Sequence, residues 1–344
     1  KTNVRLLLIC SPAPYPKKIA ETPELYQRLA AEPRIELYHA DPEWFDGSCH
    51  VGCVEVPADL TYSAFQKLSA SPKCVRPLSE FDLAFCRTLK PFPPGYMDRL
   101  VAAESVLLFV NSPRGFVRHL QPGFLPSIAG QFLVDTCVTA DLEQALRFLH
   151  THNTIVAKRA NSCGGKGVYK IGSSAHGPTT ENLLTGRVQH RTPRHALQHV
   201  MATSDQPFQF VRFVTGIHHG DKRILVVDGE VLGAYLRKGA AGDWIHNVSS
   251  GGSYCPAQIT DSERLAIEQT WPAYRALGVH TLGYDFLMDE GEWRISEINA
   301  GNIAGYSLLE ELERRPIYRG LIDWLVEFGR SRGAHPGFIA EFAI

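Results

Sequence analysis

No Cys-x-x-Cys pair occurs in this chain, although it holds eight cysteines, at 10, 49, 53, 74, 86, 137, 163 and 255. A chain this long does not need disulfide staples, and reduced cysteines in a cytoplasm are the expectation. Cys49-His50 with Cys53 could be the corner of a metal site, but no second pair follows. A long basic run is also missing, and the formal net charge is only −1. Nucleic acid and anionic membrane are thereby excluded as main partners. No apolar stretch approaches a membrane span, and Leu6–Cys10 is too short for a secretory signal core. There is no internal repeat, no legible Ser-His-Asp constellation and no setting for a nucleophilic cysteine. Cys163, within a glycine-rich loop, is the one thiol whose position invites a test.

What is present belongs to an ordinary globular protein: 344 residues, 44% hydrophobic and 21% charged. That length predicts two or three domains. Val4–Ile9 is a continuous apolar run of the kind found in buried parallel strands. Ile35–Ala40, Phe81–Arg87 and Val106–Asn111 read as further strands, and their alternation with helical stretches predicts an open α/β layer up to residue 112. Arg87 closes the third of these strands, where open sheets place ligand groups, though a plain surface arginine fits equally.

A second unit begins near Pro113. Gln131–Thr139 is strand-like, and Asp141 caps a helix, Leu142–His150, with Gln144 at its third position. Thr154–Ala160 and Gly167–Ile171 form a strand pair around the loop Asn161-Ser162-Cys163-Gly164-Gly165-Lys166. His176–Asp205 is polar, without clear period except for a helical piece near Arg194–Met201, and most of it reads as mobile surface. In the third unit, Phe208–Val214 is a strand. Asp221–Val227 and Glu230–Lys238 form a hairpin across Asp228-Gly229, a strong turn signal. A Gly- and Ser-rich loop follows, then a helix opened by the capping box Thr260/Glu263. Helices near Ser307–Arg315 and Ile317–Arg330 close the chain.

The chemistry concentrates on a few residues. Gly164, Gly165 and Gly167 lie between two strands, so the loop is neither a Walker loop nor a dinucleotide fingerprint, both of which need a following helix. It is either a plain hairpin loop or a flap whose amides approach a polyphosphate. Lys158, inside the apolar strand that precedes it, must snorkel outward or meet an anion. Alternation puts Asp221 and Arg223 on one face of their strand and Lys222 on the other. The last hairpin, Thr281–Met288 with Trp293–Asn299, can bring Asp285 opposite Glu297 and Asn299. Two carboxylates and an amide oxygen suit Mg²⁺, whose octahedron is completed by water and substrate phosphate; a merely solvated polar face is the alternative.

Taken in order, Arg87 with Pro91-Phe92, Asn111-Ser112-Pro113, Lys158 with the glycine loop, Gly220-Asp221-Lys222-Arg223 running to Asp228-Gly229, Asn247 before Gly251-Gly252, and Asp285 with Glu297-Ile298-Asn299 resemble the ATP-grasp superfamily, specifically its bacterial glutathione synthetase type. The resemblance implies an ATP-grasp fold, α/β and becoming α+β in the C-terminal part. Residues 1–112 would be an N-terminal domain with an open parallel sheet. Residues 113–213 would form a small mobile lid, and 214–344 a C-terminal mixed-sheet domain with metal and substrate sites. It implies ATP between the last two domains. Lys158, Gly164, Gly165 and Gly167 would lie at the phosphates, Val211, Phe213 and Val214 at adenine, and Asp221 and Asn299 elsewhere in the nucleotide site. Asp285, Glu297 and Asn299 would hold two Mg²⁺ ions, or Mn²⁺ in their place. Arg223, with Lys158, would steady the transferred phosphoryl group, and Arg87, Asn247, Gly251 and Gly252 would meet substrate. The implied reaction activates a carboxylic acid as an acyl phosphate that an amine attacks, in a homo-oligomeric cytoplasmic ligase; a non-catalytic ATP-binding module is the alternative. The chain departs from the family where a phosphate-binding lysine is usual, near Pro122, with Arg118 and Gln121 as neighbours. It departs again after Asn299, where Ala300–Gly305 replaces a Thr/Ser-Pro segment.

Overall fold

Three sheets divide the chain. The computed structural model describes residues 3–15, 21–160, 162, 165–239 and 253–331. The first sheet has the order β4-β3-β2-β1-β5, from β1 (Val4–Ile9), β2 (Ile35–Ala40), β3 (His50–Glu55), β4 (Cys74–Pro77) and β5 (Leu83–Cys86). Its centre is parallel, β1 pairing with both β2 and β5. The antiparallel strands β3 and β4 extend one edge. The stretch Val106–Asn111, expected as a strand, contributes two isolated bridges instead, a parallel one between Ala84 and Phe109 and an antiparallel one between Asn111 and Val279. Helices α1 (Glu21–Ala30), α2 (Tyr62–Gln66) and α3 (Tyr96–Ala103) belong to this unit.

Helices α4 (Pro113–His119) and α5 (Phe124–Ala129) lead toward the second sheet. That sheet runs β10-β9-β8-β7-β11-β6, antiparallel throughout. Its strands are β6 (Thr136–Thr139), β7 (Ile155–Lys158), β8 (Val168–Ser174), β9 (Gly177–Asn182), β10 (Gly186–Gln189) and β11 (Phe208–Arg212). Helices α6 (Leu142–His152) and α7 (Pro193–Met201) cover one face. The Asp141 carboxylate accepts from the Gln144 amide at 2.7 Å, the cap expected for α6. Of residues 176–205, the helical piece expected near Arg194–Met201 is α7, while β9 and β10 occupy much of what was read as mobile surface. Their outer strands expose one face, so Thr, His, Arg and Gln replace the apolar alternation that would mark them. Ala145, Leu149, Ile155, Ala157, Phe208 and Phe210 are among the residues of a core that belongs to this sheet alone.

The third sheet, β14-β13-β12-β15-β16, is also antiparallel. It comprises β12 (Asp221–Val227), β13 (Glu230–Lys238), β14 (Ser253–Pro256), β15 (Thr281–Asp289) and β16 (Glu292–Asn299), with α8 (Asp261–Ala276), α9 (Tyr306–Glu313) and α10 (Ile317–Ser331). Asp228 (φ 48°) and Gly229 (φ 85°) both adopt the left-handed region, as do Glu290 (φ 49°) and Gly291 (φ 89°). Each pair closes a two-residue hairpin of the kind whose twist matches antiparallel strands. The Thr260/Glu263 capping box opens α8 as expected.

Packing does not follow chain order. Phe116, Phe124 and Ala129 of α4 and α5 share a core with Ile224, Tyr274, Tyr284 and Ile298, so residues 113–129 pack with the third sheet rather than the second. Leu225 and Val227 share another core with Leu6, Leu8 and Leu25, together with Tyr306, Leu321 and Leu325 of α9 and α10. The buried Glu21 carboxylate strengthens this join, accepting from the amides of Gly305 at 2.8 Å and Ser307 at 3.1 Å. No helix among the described residues is long and apolar enough to cross a membrane.

Leu321→Ala, which opens a cavity in the core joining the first and third sheets, should destabilise the protein by about 2–5 kcal/mol. Amide exchange followed by mass spectrometry should then accelerate together in β1 and β12, with β7 and β11 unchanged. Equal acceleration in all four strands would contradict a separate core for the second sheet.

Candidate nucleotide and metal site

Strand alternation sorts the third sheet into a front and a back. On the back, the Lys222 ammonium donates to Glu263 and to the Gln258 carbonyl, both at 2.9 Å, and lies 4.1 Å from the centre of the Trp293 ring. Asp221 and Arg223 therefore point to the front, as expected. Register sets Arg223 beside Asp285 and Asp285 beside Glu297, while Asp221 lies beside Arg237 of β13. Four adjacent strands thus contribute to one charged face.

The centre of that face is Asp285, which is buried. Arg223 grips it with two donors, Nε to Oδ1 and Nη2 to Oδ2, the latter at 2.7 Å. Arg237 Nη2 reaches Asp285 Oδ1 at 3.0 Å and Asp221 Oδ2 at 2.6 Å. Asn299 Nδ2 donates to Asp285 Oδ2 at 3.1 Å. A carboxylate has about four lone-pair sites, and these donors occupy them all. Burial alone would raise the Asp285 pKa, but Arg223 and Arg237 outweigh it and hold the carboxyl below its ordinary value. The opposite holds at Asp221, whose pKa is pushed up to about 7 by burial and then by the Asp285 charge, against Arg237 and Arg223. Its second oxygen, Oδ1, is buried without a partner among the described residues. Asp221 therefore touches the charged face through Arg237, a residue the sequence reading did not single out.

Glu297 differs from both. Its side chain is exposed, although the protein around the carboxyl still weighs most on its electrostatics. That surrounding mass raises its carboxyl pKa, Lys158 lowers it, and the Asp285 charge raises it again. The pairing of β15 with β16 shifts between Asp285 and Phe286, from Glu297 to Ile295, which leaves Ser296 as a bulge. Bulges of this kind re-aim groups beside functional sites. Here the Ser296 carbonyl accepts from Lys158 Nζ at 2.9 Å, so the lysine of the second sheet reaches the strand that carries Glu297 and Asn299.

The second sheet presents a matching face. Ile155, Ala157, Phe208 and Phe210 point into its own core, so Val156, Lys158, Gln209 and Val211 point the other way. Lys170 Nζ lies 4.0 Å from the centre of the Phe213 ring at the same end. The amides of Arg212 and Phe213 already donate to the carbonyls of Asp135 and Thr154. Val214 is buried just beyond them. Arg212 also forms a two-pronged pair with Asp289, at 3.2 and 2.8 Å, tying the end of β11 to the end of β15.

The glycine loop joins β7 to β8. Gly165 takes φ 74°, and a Cβ at Gly167 would come within 2.4 Å of the Ser162 side chain, so neither position accepts a side chain without strain. Asn182 of β9 holds the base of the loop, donating to the carbonyls of Lys166 at 3.0 Å and Val168 at 2.8 Å; this contribution also escaped the sequence reading. Gly164 lies outside the described residues, as do Cys163, Asn247, Gly251 and Gly252.

Arg87 lies apart from this face, at the seam between the first and third sheets. It is buried rather than superficial, only 1% exposed. Nε donates to Thr22 Oγ1 at 3.3 Å, while Nη1 is buried without a partner among the described residues, as is the Tyr306 hydroxyl. The Tyr15 hydroxyl donates to the Arg87 carbonyl, and Asn302 Nδ2 donates to that hydroxyl at 2.8 Å. Arg87 is thereby linked to the segment that departs from the family after Asn299. Asn111 fixes the same segment from the other side, donating to the carbonyls of Thr281 at 2.9 Å and Ala300 at 2.7 Å. Near Pro122, Arg118 donates to Gln121. Among the described residues no cluster of three or more His, Cys, Asp or Glu side chains is suited to a metal ion, which includes Cys49, His50 and Cys53.

Comparison with known proteins adds to this geometry. The family model described as "Prokaryotic glutathione synthetase, ATP-grasp domain" matches residues 126–314, more than half of the chain. A glutathione synthetase of Bradyrhizobium diazoefficiens is 26% identical over 238 residues, 68% of this chain and 69% of the relative. One from Brucella melitensis biotype 1 is 25% identical over 287 residues, 81% of this chain and 83% of the relative. Among solved structures, D-alanyl-alanine synthetase A of Vibrio cholerae superimposes with a TM-score of 0.62 at 12% identity, covering 97% of this chain and 100% of that one. The ATP-grasp ligase PsnB, complexed with a precursor variant, Mg and ADP, gives a TM-score of 0.58 at 15% identity, covering 96% and 100%. At these identities the solved structures speak to the fold.

Asp221 offers a test by pH. Its folded-state pKa lies above the unfolded value, so its contribution to stability is complete below the unfolded pKa and is lost as pH rises toward 7. Asp221→Asn should therefore be more stable than the parent in urea unfolding at pH 8, with the advantage shrinking toward pH 5. An advantage that grows at low pH would contradict the burial of a carboxyl between Arg237 and Asp285.

Proposed function

Since the chain belongs to the prokaryotic glutathione synthetase ATP-grasp family and is an ATP-dependent, ADP-forming amide ligase, we propose that it activates an acid as an acyl phosphate in the cleft between the second and third sheets. The observation that carries this reading is the convergence of Lys158 from one sheet with Arg223, Asp285, Glu297 and Asn299 from the other. Phosphoryl transfer needs little covalent help from a protein, because positioning and charge neutralisation supply most of the catalysis. No enzyme nucleophile is required, since the substrate carboxylate attacks the γ-phosphate.

In this reading Lys158 and the loop through Gly164, Gly165 and Gly167 bind the phosphates. Val211, Phe213 and Val214 form the wall for adenine, with Lys170 against the Phe213 ring. Glu297 is the carboxylate open to Mg²⁺, and Asn299, whose amide nitrogen is turned to Asp285, offers its oxygen beside it. Such a donor set fits an ion that keeps several waters and takes one or two carboxylates plus phosphate oxygens. When bound, Mg²⁺ would offset the repulsion between the acid and the γ-phosphate. Asp285 can join the ion only if Arg223 lets go of it, and an arriving phosphoryl group is the anion that would draw Arg223 away. Asp221 keeps Arg237 in place during that exchange. Arg87, with a buried guanidinium and no carboxylate partner among the described residues, fits a role in holding substrate at the sheet seam, assisted by Asn247, Gly251 and Gly252. The proposed substrates are γ-glutamylcysteine with glycine, or a related amino-acid or peptide pair, with two metal ions engaged in the reaction.

ADP release is the direct assay. With ATP and Mg²⁺, γ-glutamylcysteine plus glycine is compared with a panel of other acid–amine pairs. Stimulation by the first pair alone supports glutathione synthesis, whereas stimulation only by another pair removes it. Glu297→Gln should lower turnover by about a hundredfold or more, the scale seen when one transition-state contact is removed. Its thermal midpoint should move by no more than about 2 °C, because an exposed side chain contributes little to packing. Parallel loss of activity and stability would count against the metal-facing role.

A further inference from the structure

On the edge of the first sheet far along the chain from these residues, Cys53 and Cys74 face each other. They are register partners in the antiparallel pair β3–β4, and their sulfurs stand 3.8 Å apart. Pro77, opposite His50, has no N–H, and the Leu78 amide donates to the Cys49 carbonyl at 2.8 Å. Hydrogen-bonded pairs alternate along such a ladder, so positions 49/78, 51/76 and 53/74 are the bonded ones. The Cα atoms of a bonded pair lie about 5.5 Å apart. Disulfides favour Cα separations of about 5.5–6 Å, so the strands already hold the two residues at bridging distance.

The two thiols are not equivalent. Cys53 is wholly buried, and burial, with the neighbouring Cys74, pushes its pKa up to about 12. Cys74 is exposed, with Lys73 and Arg76 beside it in the chain, and Arg76 hydrogen-bonds to its sulfur. Arg76 is itself paired with Glu80 at 3.1 Å, and the accessible sulfur beside that guanidinium is the one an external disulfide meets first. Among the described residues, the thiol beside Cys53 is that of Cys74.

We propose that Cys53 and Cys74 form a reversible dithiol–disulfide site that reacts with small anionic disulfides, glutathione disulfide being the probe. The Cys74 thiolate attacks one sulfur of the reagent RSSR, giving a Cys74–S–S–R mixed disulfide and releasing RS⁻. Cys53 then gives up its proton as its sulfur attacks Cys74, forming the Cys53–Cys74 bond and releasing a second RS⁻. The protein loses two electrons and two protons, and RSSR becomes two RSH. The bridge would close the segment Val54–Lys73, which carries α2. Through the Tyr62 hydroxyl, which donates to the Tyr15 carbonyl at 2.8 Å, that segment is tied to the corner where Tyr15 meets Arg87. The inference stands independently of the ligase reading.

The test equilibrates the reduced full-length chain with glutathione disulfide, followed by alkylation and peptide mapping. A peptide pair linked through Cys53 and Cys74, free of glutathione and reopened by dithiothreitol, is the expected result. In Cys53→Ser, and in Cys53→Ala should the serine fail to fold, the glutathione adduct on Cys74 should persist at least roughly tenfold longer. Cys74→Ser should leave Cys53 reduced. A stable Cys74 adduct on the parent chain, a bridge from Cys74 to Cys49 instead, or loss of the Cys53 thiol in Cys74→Ser would each overturn the proposal.

Discussion

The pairing of Arg223 with Asp285 is the contact on which the candidate site depends. Both are buried, and removing water from two charges is costly unless every donor and acceptor finds a partner. Asp285 meets that condition with donors from Arg223, Arg237 and Asn299. Removing one partner from such a group typically costs about 3–5 kcal/mol, more than most single side chains contribute. A well-packed apolar pair would be no less stable here, so the charges are better explained by chemistry than by folding. In the proposed reading, the same grip keeps Asp285 from a cation until Arg223 has another anion to bind.

That arrangement rests on register. The face is assembled from β13, β12, β15 and β16, and a slip of one residue in any pairing would turn a charged side chain to the back of the sheet. Two left-handed turns, Asp228-Gly229 and Glu290-Gly291, prevent such a slip. The bulge at Ser296 then offers a carbonyl to Lys158. The second sheet, by contrast, has its own core, and among the described residues polar contacts such as Lys158 to Ser296 and Arg212 to Asp289 join it to the third. Thin polar ties between separately packed units are the pattern of parts that open and close by hinge motion.

Much of this was legible in the amino-acid sequence, wherever the signal was local. The Asp228-Gly229 turn, the Asp141 and Thr260 caps, and the division of Asp221 and Arg223 from Lys222 follow from short-range stereochemistry, and each is present. The N-terminal layer was legible at its parallel centre but not at its edge: β3 and β4 are interrupted by Gly52 and end at Pro77, which masks a strand pattern. Arg87 could be read as a ligand group or a surface residue, but not as a buried cation, because its surroundings come from Thr22, Phe85 and Asn302. Arg237 had no motif of its own, and only the pairing of β13 with β12 brings it to Asp221. Residues 113–129 and 306–326 join cores far from their neighbours in sequence, and such long-range packing leaves no periodic trace.

The exchange at Asp285 is the centre of this account, and a crystal structure with a non-hydrolysable ATP analogue and Mg²⁺ tests it most directly. The account predicts the terminal phosphate between Lys158 and Arg223, with Arg223 detached from Asp285 and the carboxylates of Asp285 and Glu297 turned to the metal. A nucleotide bound elsewhere, or in this cleft with the Arg223–Asp285 pair intact and no metal at Glu297, would contradict it.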